Sequence, residues 1–216
     1  MLTLHTYFRS SAAFRVRIAL HLKGLAFDPV VVWLPSGEQR APAYVEMNPQ
    51  ALVPTLVDGD LRLTQSMAII EYLDETHPAP ALLPGNSAAR ARIRSLAQAI
   101  ACDVHPINNL RVLGYLKGAM GQSQPAVDEW YRHWCREGLA AYERELAGAP
   151  AGRFSHGDTP TLADICLVPQ IFNARRFELE LAPYPAVMRV FETCMALPAF
   201  DAAQPSRQPE AARAAG

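Results

Sequence analysis

The sequence predicts an α+β fold in two parts: a small sheet with helices on its faces, then an all-α domain. Strand and helix patterns alternate over the first 80 residues. Strand patterns then stop behind a breaker-rich stretch holding Pro78, Pro80, Pro84, Gly85 and Asn86. Beyond it apolar residues step by three and four, the period of an amphipathic helix. The expected domains are therefore residues 1–80 and 87–210, and ligands favour such junctions.

Each element has its own signal. The opening run Leu2-Thr3-Leu4-His5-Thr6-Tyr7 makes residues 2–7 a strand. Phe14, Ile18 and Leu22 recur every fourth position, so residues 11–23 form a helix that Gly24 ends. Residues 27–32 are a second strand, and residues 43–47 leave room for only a short helix. Residues 55–57 and 61–63 flank Asp58-Gly59-Asp60, turn chemistry that joins them as a hairpin. A helix over 65–76 stops ahead of Pro78. In the second part, Ala89, Ile93, Leu96, Ile100, Val104 and Ile107 lie along one long helix that Pro106 kinks. Further helices cover 126–146, 161–173 and 185–197. Thr161-x-x-Asp164 opens the middle one as a capping box with Asp in place of the usual Glu. The Pro- and Ala-rich residues 204–216 read as a poorly ordered tail.

Composition narrows the function classes. Of 216 residues, 50% are hydrophobic and 19% charged, with a formal net charge of −1, which implies no bulk attraction to nucleic acid or to an anionic membrane. No apolar run approaches the roughly 20 residues that span a bilayer, and the first residues lack a charged region followed by an apolar core, so no signal peptide is expected. Cys102, Cys135, Cys166 and Cys194 form no CxxC pair and read as reduced core residues, consistent with a cytoplasmic location. The histidines make no ligand cluster, so no metal is expected.

Three stretches carry chemistry. In Tyr7-Phe8-Arg9-Ser10-Ser11-Ala12-Ala13-Phe14, Ser10 and Ser11 sit where a strand hands over to a helix. Helix N-termini present unpaired N–H groups and the positive end of the dipole, so a hydroxyl there is suited to hold an anion such as a thiolate. Val53-Pro54 leads into a strand; it is either a plain strand-start proline or a cis bond that turns the Val53 backbone toward an extended peptide ligand. Gln65-Ser66 opens the next helix, where Ser66 is either a simple cap or, with Gln65, a holder of a carboxylate.

These residues, with Ser66-x-Ala68-Ile69-Ile70-Glu71-Tyr72-Leu73 and the later Thr-x-x-Asp box, occur in the order of a soluble glutathione transferase. The N-terminal run resembles the zeta class, whose signature is Ser-Ser-Cys-x-x-Arg-Val-Arg-Ile-Ala-Leu. Asp103-Val104-His105-Pro106-Ile107-Asn108-Asn109 and Leu167-Val168-Pro169-Gln170 resemble the maleylacetoacetate and maleylpyruvate isomerases of that class. The resemblance covers about residues 1–210. One position departs from it: Ala12 stands where the signature has cysteine. The isomerisation uses the thiol of glutathione itself, so the change is expected to be tolerated.

The resemblance implies a thioredoxin-like N-terminal domain, an all-α C-terminal domain, a homodimer, and glutathione as cofactor. It makes Ser10 the thiolate stabiliser with Ser11 as helper, Val53 with Pro54 the backbone partner of glutathione, and Gln65 and Ser66 the clamp for its γ-glutamyl carboxylate. The implied activity is cis–trans isomerisation of a small anionic maleyl diketo acid in the breakdown of aromatic compounds, including tyrosine. Thiolate addition turns the double bond into a rotatable single bond, and elimination returns glutathione. Arg9 and Arg176 are candidates for the substrate carboxylates, since the guanidinium fork suits that group. Asp164 is expected to be structural. His105, Asn108 and Asn109 share one face of the expected long helix, with Arg111 one turn beyond Asn108. Either they satisfy the kink, or His105 and Asn109 face glutathione while Asn108 and Arg111 face the substrate. The alternative functions are a conjugating or dehalogenating glutathione transferase, which needs no such arginines, and a non-catalytic binding protein.

Overall fold

The computed structural model describes residues 1–148 and 152–214. Its chain forms two compact units, Met1–Leu82 with Met195–Gly216, and Leu83–Cys194. The second unit thus ends at Cys194 rather than near residue 210, because the C-terminal segment packs with the first.

In the first unit, β1 (Leu2–Thr6) runs between β2 (Phe27–Val31) and β3 (Thr55–Asp58), and β4 (Leu61–Thr64) completes the order β2-β1-β3-β4. β1 is parallel to β2 and antiparallel to β3, and β3 is antiparallel to β4. Leu4 faces Leu56 across the central pair, and both are fully buried. Pro29 lies in β2 at the sheet edge, where a missing N–H costs no ladder bond. Gly59 takes φ +57° in the turn between β3 and β4, as the hairpin chemistry predicts. The fold is thioredoxin-like, with α1 (Ser11–Leu22), the short α2 (Pro42–Met47) and α3 (Ser66–Thr76) supplying its helices. α3 starts one residue later than expected, since Gln65 has φ +68° and lies outside the helix.

α1 is not amphipathic in the expected sense. Ser11 and every residue from Ala13 to Leu20 are buried, Arg15 and Arg17 included. One side packs on α3; another is covered by α9 (Pro198–Ala203). The expected poorly ordered tail is therefore corrected: Pro205–Arg207 and Pro209–Ala214 form 3-10 turns, and Phe200, Ala203 and Glu210 are buried. Pro and Ala give a weak helical signal, but Phe200 and Ala203 supply the apolar surface that α1 requires. Residues 215 and 216 of that expectation lie outside the described residues.

The second unit is helical: α4 (Ser87–Gln98), α5 (Leu110–Gly118), α6 (Gln124–Ala147), α7 (Leu162–Arg176) and α8 (Pro185–Met195). The expected long helix does not kink and continue. α4 widens into a π-helical turn, Ala99–Val104, where the His105 N–H donates to Ile100 O at 2.9 Å, and a 3-10 turn, Pro106–Asn108, ends it. Pro106 has no N–H to carry the helix on. Asn109 then caps α5, an element with no sequence signal of its own. Gly138 of α6 lets this turn approach closely, since a Cβ there would lie 2.1 Å from Val104 Cγ2. Leu162 through Ile171 of α7 are all buried, making α7 the core of this unit. Cys135, Cys166 and Cys194 are buried as expected; Cys102, on the π-helical turn, is exposed. No helix among the described residues is long and apolar enough to cross a membrane.

Candidate functional site

In the first unit, β1 ends at Thr6 and residues 7–9 turn the chain into α1. Tyr7 and Phe8 anchor this loop in an apolar cluster with Val32, Tyr44 and Val53. Ser10 is the N-cap. Its N–H donates to Tyr7 O at 2.9 Å, and its Oγ accepts from the Ala13 N–H at 3.2 Å. Because Oγ serves that bond as acceptor, its hydrogen remains to be donated. No acidic side chain lies in the first turn of α1. Ser10 is half-buried, whereas Ser11 is 5% exposed inside the helix. That difference favours Ser10 over Ser11 as the residue that meets a ligand. Arg9 is exposed, with its guanidinium carbon 5.0 Å from the centre of the Phe8 ring.

The second stretch borders the same cluster. Val53-Pro54 is a cis peptide and Val53 is buried. The loop before it is held from behind: Leu52 O accepts from Tyr44 Oη and Asn48 Nδ2, both at 2.7 Å. Thr55 Oγ1 is bonded to the same two side chains at 3.0 and 3.2 Å. Burial raises the Tyr44 pKa, so the phenol stays protonated and donates. The reading of the sequence missed this buttress. The available signal was Asn48 before Pro49, a polar side chain placed to bond local backbone.

At the start of α3, Gln65 is exposed and donates through Nε2 to Gln50 Oε1 at 2.6 Å. The N-cap side chain, Gln65, makes no capping bond to this helix. Ser66 is the first helical residue and its Oγ accepts from Arg15 Nη1 at 3.3 Å. The helix N-terminus, the Ser66 hydroxyl hydrogen and the buried Arg15 cation all favour an anion there. Arg15 and Arg17 are further residues the sequence reading left aside. Arg17 is fully buried and donates to Tyr7 O and Phe8 O. Burial pushes its pKa down to about 9 and the Glu210 charge opposes the shift, so Arg17 keeps its charge near neutral pH.

In the second unit, the expected common face of residues 105, 108 and 109 does not form, because the helix ends between them. His105 is half-buried at the π-helical turn. Asn108 is 5% exposed and its Nδ2 donates to Tyr131 O at 3.4 Å, while its Oδ1 is buried without a hydrogen-bond partner; the burial counts against a role in meeting substrate. Asn109 accepts from the N–H groups of Arg111 and Val112 at 2.9 and 3.2 Å as the cap of α5, which uses the side chain that had been assigned to glutathione. Arg111 is exposed on α5. Arg176 ends α7, is exposed, and borders a polar cleft with Asp128, Arg132, Phe177 and Glu178. Its guanidinium carbon lies 5.1 Å from the centre of the Phe177 ring, which stacks on Tyr131 at 3.7 Å. Asp164 is fully buried and accepts from Thr161 N, Thr161 Oγ1 and Ser155 N at 2.7, 3.0 and 2.8 Å. Desolvation raises its pKa while these bonds pull it down. The capping box expected from sequence is thus present.

Comparison with known proteins identifies the family of the chain. Residues 9–76 match the family model for the glutathione S-transferase N-terminal domain, and residues 124–193 match that for the C-terminal domain. The chain is 47% identical to a probable maleylacetoacetate isomerase of Vibrio cholerae, over 97% of this chain and 98% of the relative. It is 46% identical to a bacterial maleylpyruvate isomerase described as a zeta-class glutathione S-transferase, with a TM-score of 0.95 over 96% of this chain and 99% of that one. It is also 47% identical to a maleylacetoacetate isomerase of Anaeromyxobacter dehalogenans solved with bound glutathione, with a TM-score of 0.88 over 98% of each chain.

Proposed function

The chain belongs to the glutathione S-transferase family, and we propose that it is a zeta-class, glutathione-dependent cis–trans isomerase of a maleyl diketo acid. Full-length identity of 46–47% to proteins named for that reaction carries the reading. Near-equal identity to maleylacetoacetate and maleylpyruvate isomerases leaves the assay to name the substrate.

The residues of the first unit fit glutathione. Gln65, Ser66 and the α3 N-terminus would hold its γ-glutamyl carboxylate, with the buried Arg15 cation behind Ser66. Val53, fixed by the Tyr44–Asn48–Thr55 buttress, would offer its backbone to the peptide. When bound, glutathione supplies the thiolate nucleophile, which is returned at the end of the cycle. Ser10 donates its hydroxyl hydrogen to that sulfur, and the positive end of α1 adds to the effect, which raises the thiolate fraction from that of a free thiol with a pKa of about 8.5. The addition also requires that the charge developing on the substrate carbonyl oxygen be stabilised. Arg9, Arg111 and Arg176 are the cations proposed for the substrate carboxylates; exposure leaves their guanidinium groups accessible. His105 and Asn109 were proposed for glutathione. The capping bonds of Asn109 count against it, and half-burial keeps His105 a candidate. A homodimer, implied by the family resemblance, and a cytoplasmic location, consistent with the scattered reduced cysteines, complete the proposal.

The test follows maleylacetoacetate and maleylpyruvate side by side, with and without glutathione. Loss of either cis isomer that requires glutathione but does not consume it is the expected result, and the higher kcat/KM names the substrate. Consumption of glutathione in a conjugate, or turnover of neither acid, overturns the proposal.

A further inference from the structure

Arg17 connects the candidate thiolate site to the end of the chain. Its Nη1 donates to Thr6 Oγ1 and Tyr7 O at 3.0 and 3.4 Å, and its Nη2 donates to Phe8 O at 3.1 Å. Its Nε donates to Ala203 O at 3.0 Å, at the end of α9. Tyr7 O is also the acceptor of the Ser10 N–H. One guanidinium therefore holds the carbonyls of residues 7 and 8 in the loop before the N-cap serine, and the Tyr7 carbonyl holds the serine itself. Beyond α9 the chain returns to the same place. Glu210 is 4% exposed and its charge acts on Arg17, while Ala211 packs on the cluster formed by Tyr7, Phe8, Val32, Tyr44 and Val53. Both loops proposed to meet glutathione are thus backed by the last residues of the chain.

We infer that Arg17 is a positioning residue for the thiolate site, and that the C-terminal segment braces the loop of residues 7–10 through Arg17 and Ala211. The inference rests on the proposed role of Ser10. Its physical basis is reach. A hydroxyl stabilises a thiolate only within hydrogen-bond distance, and a loop carries its side chain no more accurately than its own anchors allow. The planar fork of arginine reaches four acceptors from three nitrogens held in fixed geometry, whereas the ammonium of lysine places all its donors on one atom. The charged groups that act on or near Arg17 are Glu210, which favours its cation, and His21, whose own pKa is lowered by burial and by Arg17.

Two full-length variants test this. Arg17→Lys keeps the charge and loses the fork. Ala211→Arg pries the segment from the cluster and adds a positive charge, which by itself would lower the pKa of a nearby thiol. A rise in that pKa therefore reports lost positioning and not altered charge. The first readout uses the protein alone: backbone amide exchange over residues 8–11 is expected to speed up about tenfold in each variant. The second is the pH titration of the thiolate absorbance of bound glutathione, where the pKa is expected to rise by about one unit. Turnover should fall about tenfold with KM for the diketo acid unchanged. Thermal unfolding checks that each variant is folded, and if Arg17→Lys is not, Ala211→Arg, at a half-buried position, carries the test. Unchanged exchange, or faster exchange with an unchanged thiol pKa, overturns this inference and leaves the site proposal standing. A wild-type protein that binds glutathione without lowering its thiol pKa overturns the role of Ser10 and this inference together.

Discussion

The two units bury charge for opposite purposes. In the second, Asp164 is sealed inside and spends its acceptor capacity on Thr161 and Ser155, ending one loop and starting α7. In the first, Arg15 and Arg17 are sealed inside α1, and their donors run outward to Ser66 and to the carbonyls of residues 7 and 8. A buried carboxylate that satisfies local N–H groups specifies a fold. A buried guanidinium that reaches groups distant in sequence fixes the rim of a site. Both must be paired to be tolerated, since an uncompensated buried charge costs several kcal/mol. The difference predicts that loss of the buried charge registers as lost stability in the second unit and as lost chemistry in the first.

Substitutions can break that contrast. The largest effect is expected from Asp164→Ala, which leaves buried donors without their acceptor and should cost about 3 kcal/mol, more than a hundredfold in the folding equilibrium. Chemical denaturation measures it, and the folded fraction should titrate bound glutathione as the wild type does. Next is Ser10→Ala, expected to cut turnover more than about tenfold, the scale of one lost donor, while loss of the α1 cap costs only about 1 kcal/mol of stability. An unaffected turnover would transfer the role to Ser11. Arg176→Ala follows, with KM for the diketo acid expected to rise several-fold and glutathione affinity unaltered; a constant KM removes Arg176 from the substrate set. The smallest effect concerns pH. Burial lowers the pKa of His5 and His21, so the unfolded chain binds more protons than the folded one as pH falls below about 6.5. Stability is therefore full above that pH and declines as pH falls through the lowered values. His21→Gln should flatten this decline, and stability curves between neutral and mildly acid pH would reveal a contribution elsewhere if the slope were unchanged.

The positions legible in the sequence share a property: their signal is local. Ser10 at a strand-to-helix junction, the Asp58-Gly59-Asp60 turn and the Thr161-x-x-Asp164 box each depend on a few neighbouring residues, and each is found where the pattern put it. Gln65 was legible as a polar group at a helix start, though its positive φ was not. The misreadings lie where the outcome depends on distant packing. Pro106 announced a break but not its form, because a kink and a π-helical end differ only in what the freed groups meet, here across from Gly138. Asn108 and Asn109 were read as one face, a geometry that vanished with the helix.

The sequence by itself determined the two-part α+β order, the serine at the head of α1 and the membership that names glutathione, since spacing and local backbone preference suffice for these. Only the tertiary structure decided that α1 is buried on several sides, that its arginines point inward, and that residues 198–214 return to cover them. An arginine looks solvent-bound in any one-dimensional pattern. Its burial becomes favourable only when acceptors from residues 6–8 and 203 converge on it, and nothing local in the chain records that convergence.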